Sequence, residues 1–208
     1  MQPSRDLGRL VAVPLLVGLL VLNASRLVTV DGSALATAAT GVAVCFYVVL
    51  AIQYLRRGRA SHSDRRPAVW LVAVGATLSP FVIPLVAGPP ASGTQLAAGT
   101  FLVLAGTAGA VWAALSLGRS ISVIPQSRTL ASHGPYRWLR HPLYVFELVA
   151  SAGLCLVVGG VPPWLVLVAL AAMQVVRARW EERLLLDTMD GYADYRRRTV
   201  GLVPSAWT

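Results

Sequence analysis

Arg140, His141, Tyr144 and Glu147 fall within one eight-residue stretch, and a second knot of charge, Arg177, Glu181 and Glu182, follows later in the chain. A guanidinium, an imidazole, a phenol and several carboxylates are the groups that hold a zwitterionic ligand or move a proton. Pro142 suits the first turn of a helix, where its missing N–H costs nothing. If that helix begins near residue 140, Arg140, Tyr144 and Glu147 (i, i+4, i+7) share one face with Ser151. Glu147 then serves either as a structural hydrogen-bond partner of Ser151 or Arg140, or as a substrate-facing, proton-handling group. His141 is an interfacial histidine, a base or a ligand donor, and Trp138 reads as an interface anchor. Arg177 and Glu181 are one turn apart, as are Arg179 and Arg183, which fits charge pairs on a helix leaving the membrane as well as a site. The chain has three histidines and no carboxylate–histidine spacing suited to a metal. Cys45 and Cys155 sit in apolar runs and read as small buried hydrophobes.

The elements that must position these groups are set by composition. Apolar residues make up 56% of the 208 residues, charged residues only 13%, about half the ~25% of soluble domains. Mean hydropathy is +0.64. An all-α polytopic membrane bundle follows, with 1–208 as one integral membrane domain. Six apolar segments stand out, at about 9–28, 34–55, 68–87, 95–117, 142–159 and 162–179. The net charge of +9 is carried wholly by arginine, placed between apolar runs. That pattern orients spans at an anionic face and excludes nucleic acid as partner. Arginines fall in 1–8, 56–67, 118–141 and 180–208, and none in 29–33, 88–94 or 160–161. The positive-inside rule then puts both termini in the cytoplasm of a multi-pass protein of the cell (inner or plasma) membrane. Arg5 and Arg9 before the first apolar run resemble a signal peptide, but no small-residue cleavage site stands out, so a retained first helix is expected. Gly159-Gly160-Val161 joins the fifth and sixth segments so tightly that they must form an antiparallel hairpin, bringing His141 and Tyr144 level with Arg177 and Glu181. Beyond it, Tyr192, Tyr195 and Arg196–Arg198 read as a cytoplasmic amphipathic tail on the anionic leaflet.

Taken together, Gly134-Pro135-Tyr136, Arg140-His141-Pro142-Leu143-Tyr144, the Arg177/Glu181-Glu182/Leu185 segment and the paired Tyr192 and Tyr195 before Pro204 resemble the isoprenylcysteine carboxyl methyltransferase family. Its bacterial relatives are akin to phospholipid methyltransferases. The resemblance covers about 118–204 as a catalytic region, with 1–117 as variable N-terminal spans. It implies methyl transfer from S-adenosyl-L-methionine to a lipid or lipophilic small molecule at the cytoplasmic face, by a carboxyl O-methyltransferase-like enzyme. By resemblance, Tyr136, His141, Pro142, Leu143, Tyr144 and Glu181 line the cofactor site, with Leu130 and Arg140 placed beside them, and Arg177 engages the acceptor. Arg177 would orient a carboxylate acceptor, whereas Glu147, itself a departure from the family, or His141 would take the proton of an amine. Arg128-Thr129-Leu130-Ala131 departs from the family's usual His-x-Leu-Val, and Phe146 stands where glycine is usual, which would narrow that helix face. Gly201 replaces a basic residue. Arginine-only basic content with abundant alanine and valine suggests a bacterial source.

Two other functions fit parts of the pattern. A membrane reductase of the steroid 5α-reductase kind also places a glutamate three residues after a tyrosine and would use NADPH, but no glycine-rich dinucleotide fingerprint is present. A non-enzymatic scaffold or transporter would be expected to carry polar groups near mid-membrane, whereas here only Glu147 goes deep.

Overall fold

The structure is a computed structural model that describes residues 13–14, 16–22, 24–25, 34–56, 62–63, 66–89, 93–120, 126–127 and 130–202. Arg5, Arg9, Arg26, Arg57, Arg59, Arg65, Arg128, Thr129 and Pro204 lie outside them. The regular structure of the described residues is helical, with short 3-10 turns, one two-residue ladder and one isolated bridge. α1 is helical at the described positions between 13 and 25. It is followed by α2 (Ala34–Arg56), α3 (Pro67–Val82), α4 (Gly93–Leu117), α5 (Pro142–Val158), α6 (Pro162–Thr188) and α7 (Tyr192–Arg198).

Three stretches, Thr37–Arg56, Pro67–Val86 and Gly93–Leu117, are long and apolar enough to cross a membrane. α5 is a shorter apolar helix of 17 residues. α6 is apolar over its first half and then runs unbroken through Arg177, Glu181 and Leu185 to Thr188. Large apolar side chains such as Leu71, Leu85, Phe101, Leu165 and Val168 face outward, as they must when the surroundings are lipid. Pro80 inside α3 removes one bond of the helical ladder, and the chain tightens into a 3-10 turn at Ile83–Val86.

α4 and α5 approach closely because glycine lets their backbones touch. A Cβ on Gly99 would lie 2.8 Å from the Gly153 carbonyl oxygen; one on Gly153 would lie 2.6 Å from the Val103 nitrogen; one on Gly106 would strike the backbone of Ala150. In lipid, where there is no hydrophobic drive between helices, such small-residue contact supplies the packing. Phe146 fills the notch at Gly109 and so turns onto α4 rather than narrowing the face that bears Tyr144.

The loops sort by end. His62–Ser63 pairs antiparallel with Gln126–Ser127, joining two arginine-bearing loops, and the Arg66 guanidinium lies 5.4 Å from the centre of the Trp180 ring. At the opposite end the Gly88 N–H donates to the Gly159 carbonyl at 3.1 Å. Gly159 and Gly160, at φ 69° and 83°, make the turn between α5 and α6.

The tail differs from the expectation of a helix lying on the leaflet. Tyr192 and Tyr195 are buried, and the Tyr195 hydroxyl donates to the Tyr136 carbonyl at 2.8 Å. Val200 then bridges in parallel to Leu139, with Val200 N–H to the Trp138 carbonyl at 2.8 Å and Arg140 N–H to the Val200 carbonyl at 2.9 Å. The C-terminal segment is thus fastened over the Gly134–Arg137 turn.

Candidate functional site

The Pro142 ring starts α5 with His141 as its cap residue, so Arg140 is upstream of the helix and not on its face. Freed from it, the Arg140 side chain turns to the C-terminal segment. Its Nε donates to Glu182 Oε1 at 2.8 Å, and its Nη1 donates to the carbonyls of Arg196 and Thr199 at 2.8 and 2.7 Å. A Cβ at Gly201 would collide with this guanidinium. Glu182 also meets His141 Nε2 at 3.0 Å and Arg196 Nε at 3.6 Å. Burial alone would raise the Glu182 carboxyl, but hydrogen bonds and charge from His141 and Arg140 outweigh it and hold the group below the ordinary carboxylate range. With Glu182 ionised, His141 Nε2 donates.

The His141 ring stacks on the Tyr144 ring, centroids 5.3 Å apart and planes within 6°. Tyr144 donates its hydroxyl to Glu181 Oε2 at 2.9 Å, and the Arg177 guanidinium stands 4.7 Å from the centre of the Tyr144 ring. Arg177 Nη1 donates to Gln174 Oε1 at 3.0 Å, and Gln174 Nε2 to Glu147 Oε2 at 2.5 Å. A continuous row of polar contacts therefore runs from Glu147 to Arg196 across α5, α6 and the tail.

This row separates two spaces. The smaller, about 60 Å³, is walled by Leu130, Tyr136, Arg140, His141, Glu181 and Tyr192, among others. The larger, about 660 Å³, opens among α1 to α6, and its mostly apolar wall carries Leu143, Tyr144, Glu147, Ser151 and Arg177. Burial, with Glu181 adding to it, pushes the Tyr136 hydroxyl far above its usual range; burial also raises Tyr192, and Tyr195 is pushed up to about 12. All three stay protonated at neutral pH.

Of the residues expected at a cofactor site, Leu130, Tyr136, Arg140, His141 and Glu181 meet at the small pocket. Leu143 and Tyr144 face the large cavity, and Pro142 is buried in the first turn of α5. Glu147 accepts from Gln174 rather than pairing with Ser151 or Arg140. Gln174 and Met189, which join this candidate site, were not singled out by the sequence reading. A glutamine amid an apolar run, one turn before Arg177, was the available signal for the first.

A helical protein with stretches long and apolar enough to cross a membrane, carrying a polar pocket and an apolar cavity on either side of one polar row, is the class that this geometry defines. Residues 94–189 match the sequence profile of phospholipid methyltransferase, so this region is similar to that family. The chain is 35% identical over 112 residues to the cobalt-zinc-cadmium resistance protein CzcN of Cupriavidus metallidurans, covering 49% of each chain. It is 32% identical over 147 residues to the nickel-cobalt-cadmium resistance protein NccN of Alcaligenes xylosoxydans xylosoxydans, covering 67% of this chain and 64% of that one. The chain thus spans about half the length of the first relative and under two thirds of the second.

Proposed function

We propose that the protein is a methyltransferase of the inner or plasma membrane that uses S-adenosyl-L-methionine to methylate a lipophilic acceptor at the cytoplasmic face. The carrying observation is the Tyr144–Glu181–Arg177 contact, which stands between the polar pocket and the apolar cavity. Six spans with both termini inside complete the proposed topology. It agrees with the meeting of two arginine-bearing loops at one end, and a cysteine at Ser61 would then label from inside and one at Ser92 from outside.

The donor set suits the cofactor. The Glu181 side chain, 31% exposed, can accept from an ammonium or a ribose diol. Tyr136 and Tyr192 offer aromatic walls, and Leu130, Leu185 and Met189 apolar ones. At about 60 Å³ the pocket is smaller than the roughly 300–1,000 Å³ of small-molecule sites, so a nucleoside would have to widen it. When bound, the cofactor supplies a methyl group already activated by a sulfonium charge. The residues then have to align the acceptor and keep water away. Arg177 orients the acceptor's polar end, Tyr144 holds the boundary, His141 fixes Tyr144 by stacking, and the large cavity takes the acceptor's apolar body.

Calorimetry of the detergent-purified protein with S-adenosylhomocysteine and with NADPH tests this reading. Binding of the first and not the second is expected. Binding of NADPH alone would turn the assignment to a reductase, and binding of neither would favour a non-enzymatic role.

A further inference from the structure

Gln174 is 0% exposed in the middle of α6, and both ends of its amide are used, one on Glu147 and one on Arg177. Two opposite charges in apolar surroundings ordinarily close on each other, because each lowers the other's desolvation cost. Here an amide is inserted between them. Glu147 and Arg177 therefore balance as a neutral unit while both still line the large cavity.

That arrangement discriminates among acceptors. A carboxylate acceptor would bring a second negative charge beside Glu147 in an apolar space. It also has no proton to surrender, which would leave Glu147 without a task. An ammonium would pair with Glu147 but face Arg177, and must lose a proton before it has a lone pair to offer. A neutral, weakly acidic O–H or S–H meets neither conflict. Its proton can pass to Glu147 while the developing anion lies beside Arg177, so the charge of the site never changes.

Resting on the methyltransferase reading, we propose that the acceptor is a neutral amphiphile with a weakly acidic hydroxyl or thiol on an apolar body. Glu147 takes its proton, and Gln174 is the positioning residue that keeps Glu147 and Arg177 apart. In the balanced step the acceptor's O–H or S–H bond breaks toward Glu147, its lone pair forms the new bond to the methyl carbon, and the electron pair of the broken C–S bond stays on sulfur. The proton on Glu147 is released to water on the cytoplasmic side when the methylated product leaves.

The test uses 4-nonylphenol and 4-nonylbenzoate, near-equal in shape, titrated at pH 7.5 into the detergent-purified, cofactor-free protein. The wild type should bind the phenol at least about tenfold more tightly than the benzoate. Glu147→Gln and, separately, Gln174→Met should reduce that ratio to about one, while leaving S-adenosylhomocysteine affinity as in the wild type. A merely structural role for either residue would weaken both ligands alike and leave the ratio standing, and that result would overturn the assignment. Equal or tighter binding of the benzoate by the wild type overturns the acceptor class without any variant. Absence of S-adenosylhomocysteine binding would instead sink the methyltransferase reading, a separate titration that leaves the phenol-to-benzoate ratio readable.

Discussion

Glu181 and Arg177 both meet one phenol, the first at its hydroxyl and the second over its ring, and their substitutions should separate cofactor from acceptor. Glu181→Gln removes the carboxylate at the polar pocket and should weaken S-adenosylhomocysteine binding by about tenfold or more, as loss of a charge-assisted hydrogen bond does. Tyr144→Phe deletes one hydroxyl and should cost only about 1 kcal/mol, roughly fivefold in the same titration. Arg177→Ala should abolish turnover, measured by radiolabelled methyl incorporation into the acceptor, and leave S-adenosylhomocysteine binding within about threefold. At this scale the sequence was informative where the chemistry is local. Arg140-His141-Pro142-Leu143-Tyr144 and Glu181 announce themselves by residue type. Arg140 was misplaced on a helix face because its side-chain direction depends on Glu182 and on carbonyls from the tail, contacts 42 to 59 residues away in sequence. Spacing along a helix carries no information about them.

Helix placement was partly legible because apolar run length reports it: α2 to α5 lie over apolar segments with ends differing by a few residues, whereas α6 runs on past 179 to Thr188. What each helix touches was not. The α4–α5 contact rests on glycines whose importance comes from a partner backbone that no single segment reveals. Gly106→Leu should drive the two helices apart and lower the thermal midpoint of the detergent-solubilised protein, at a cost on the order of 2–3 kcal/mol for forced overpacking. An equal substitution at Gly41, where a Cβ meets nothing within 4 Å, is the control and should leave the midpoint unchanged. The C-terminal segment was the element read least well. Paired tyrosines with three arginines look like a surface helix, and only the Tyr195–Tyr136 and Val200–Leu139 pairings show that it is a strap across the site.

Across the whole molecule, that strap ties stability to pH through Glu182. Its carboxyl lies below the ordinary range in the folded protein, so it contributes stability that is present above the unfolded-state value and is lost as pH falls through the depressed folded-state value. The strap should therefore hold at neutral pH and loosen below about pH 4, seen as faster proteolysis between Met189 and Gly201. Glu182→Gln should release it already at neutral pH and remove the acid step; an unchanged acid step in that variant would refute the linkage.

Of the residues that build this site, 195–201 emerge last from the ribosome, after the helices they fasten have been made. Translation order therefore sets an order of assembly: a nascent chain lodged in the bilayer up to α6 has the residues of its oily chamber but lacks the clasp on Arg140, which closes only once 195–201 have left the ribosome.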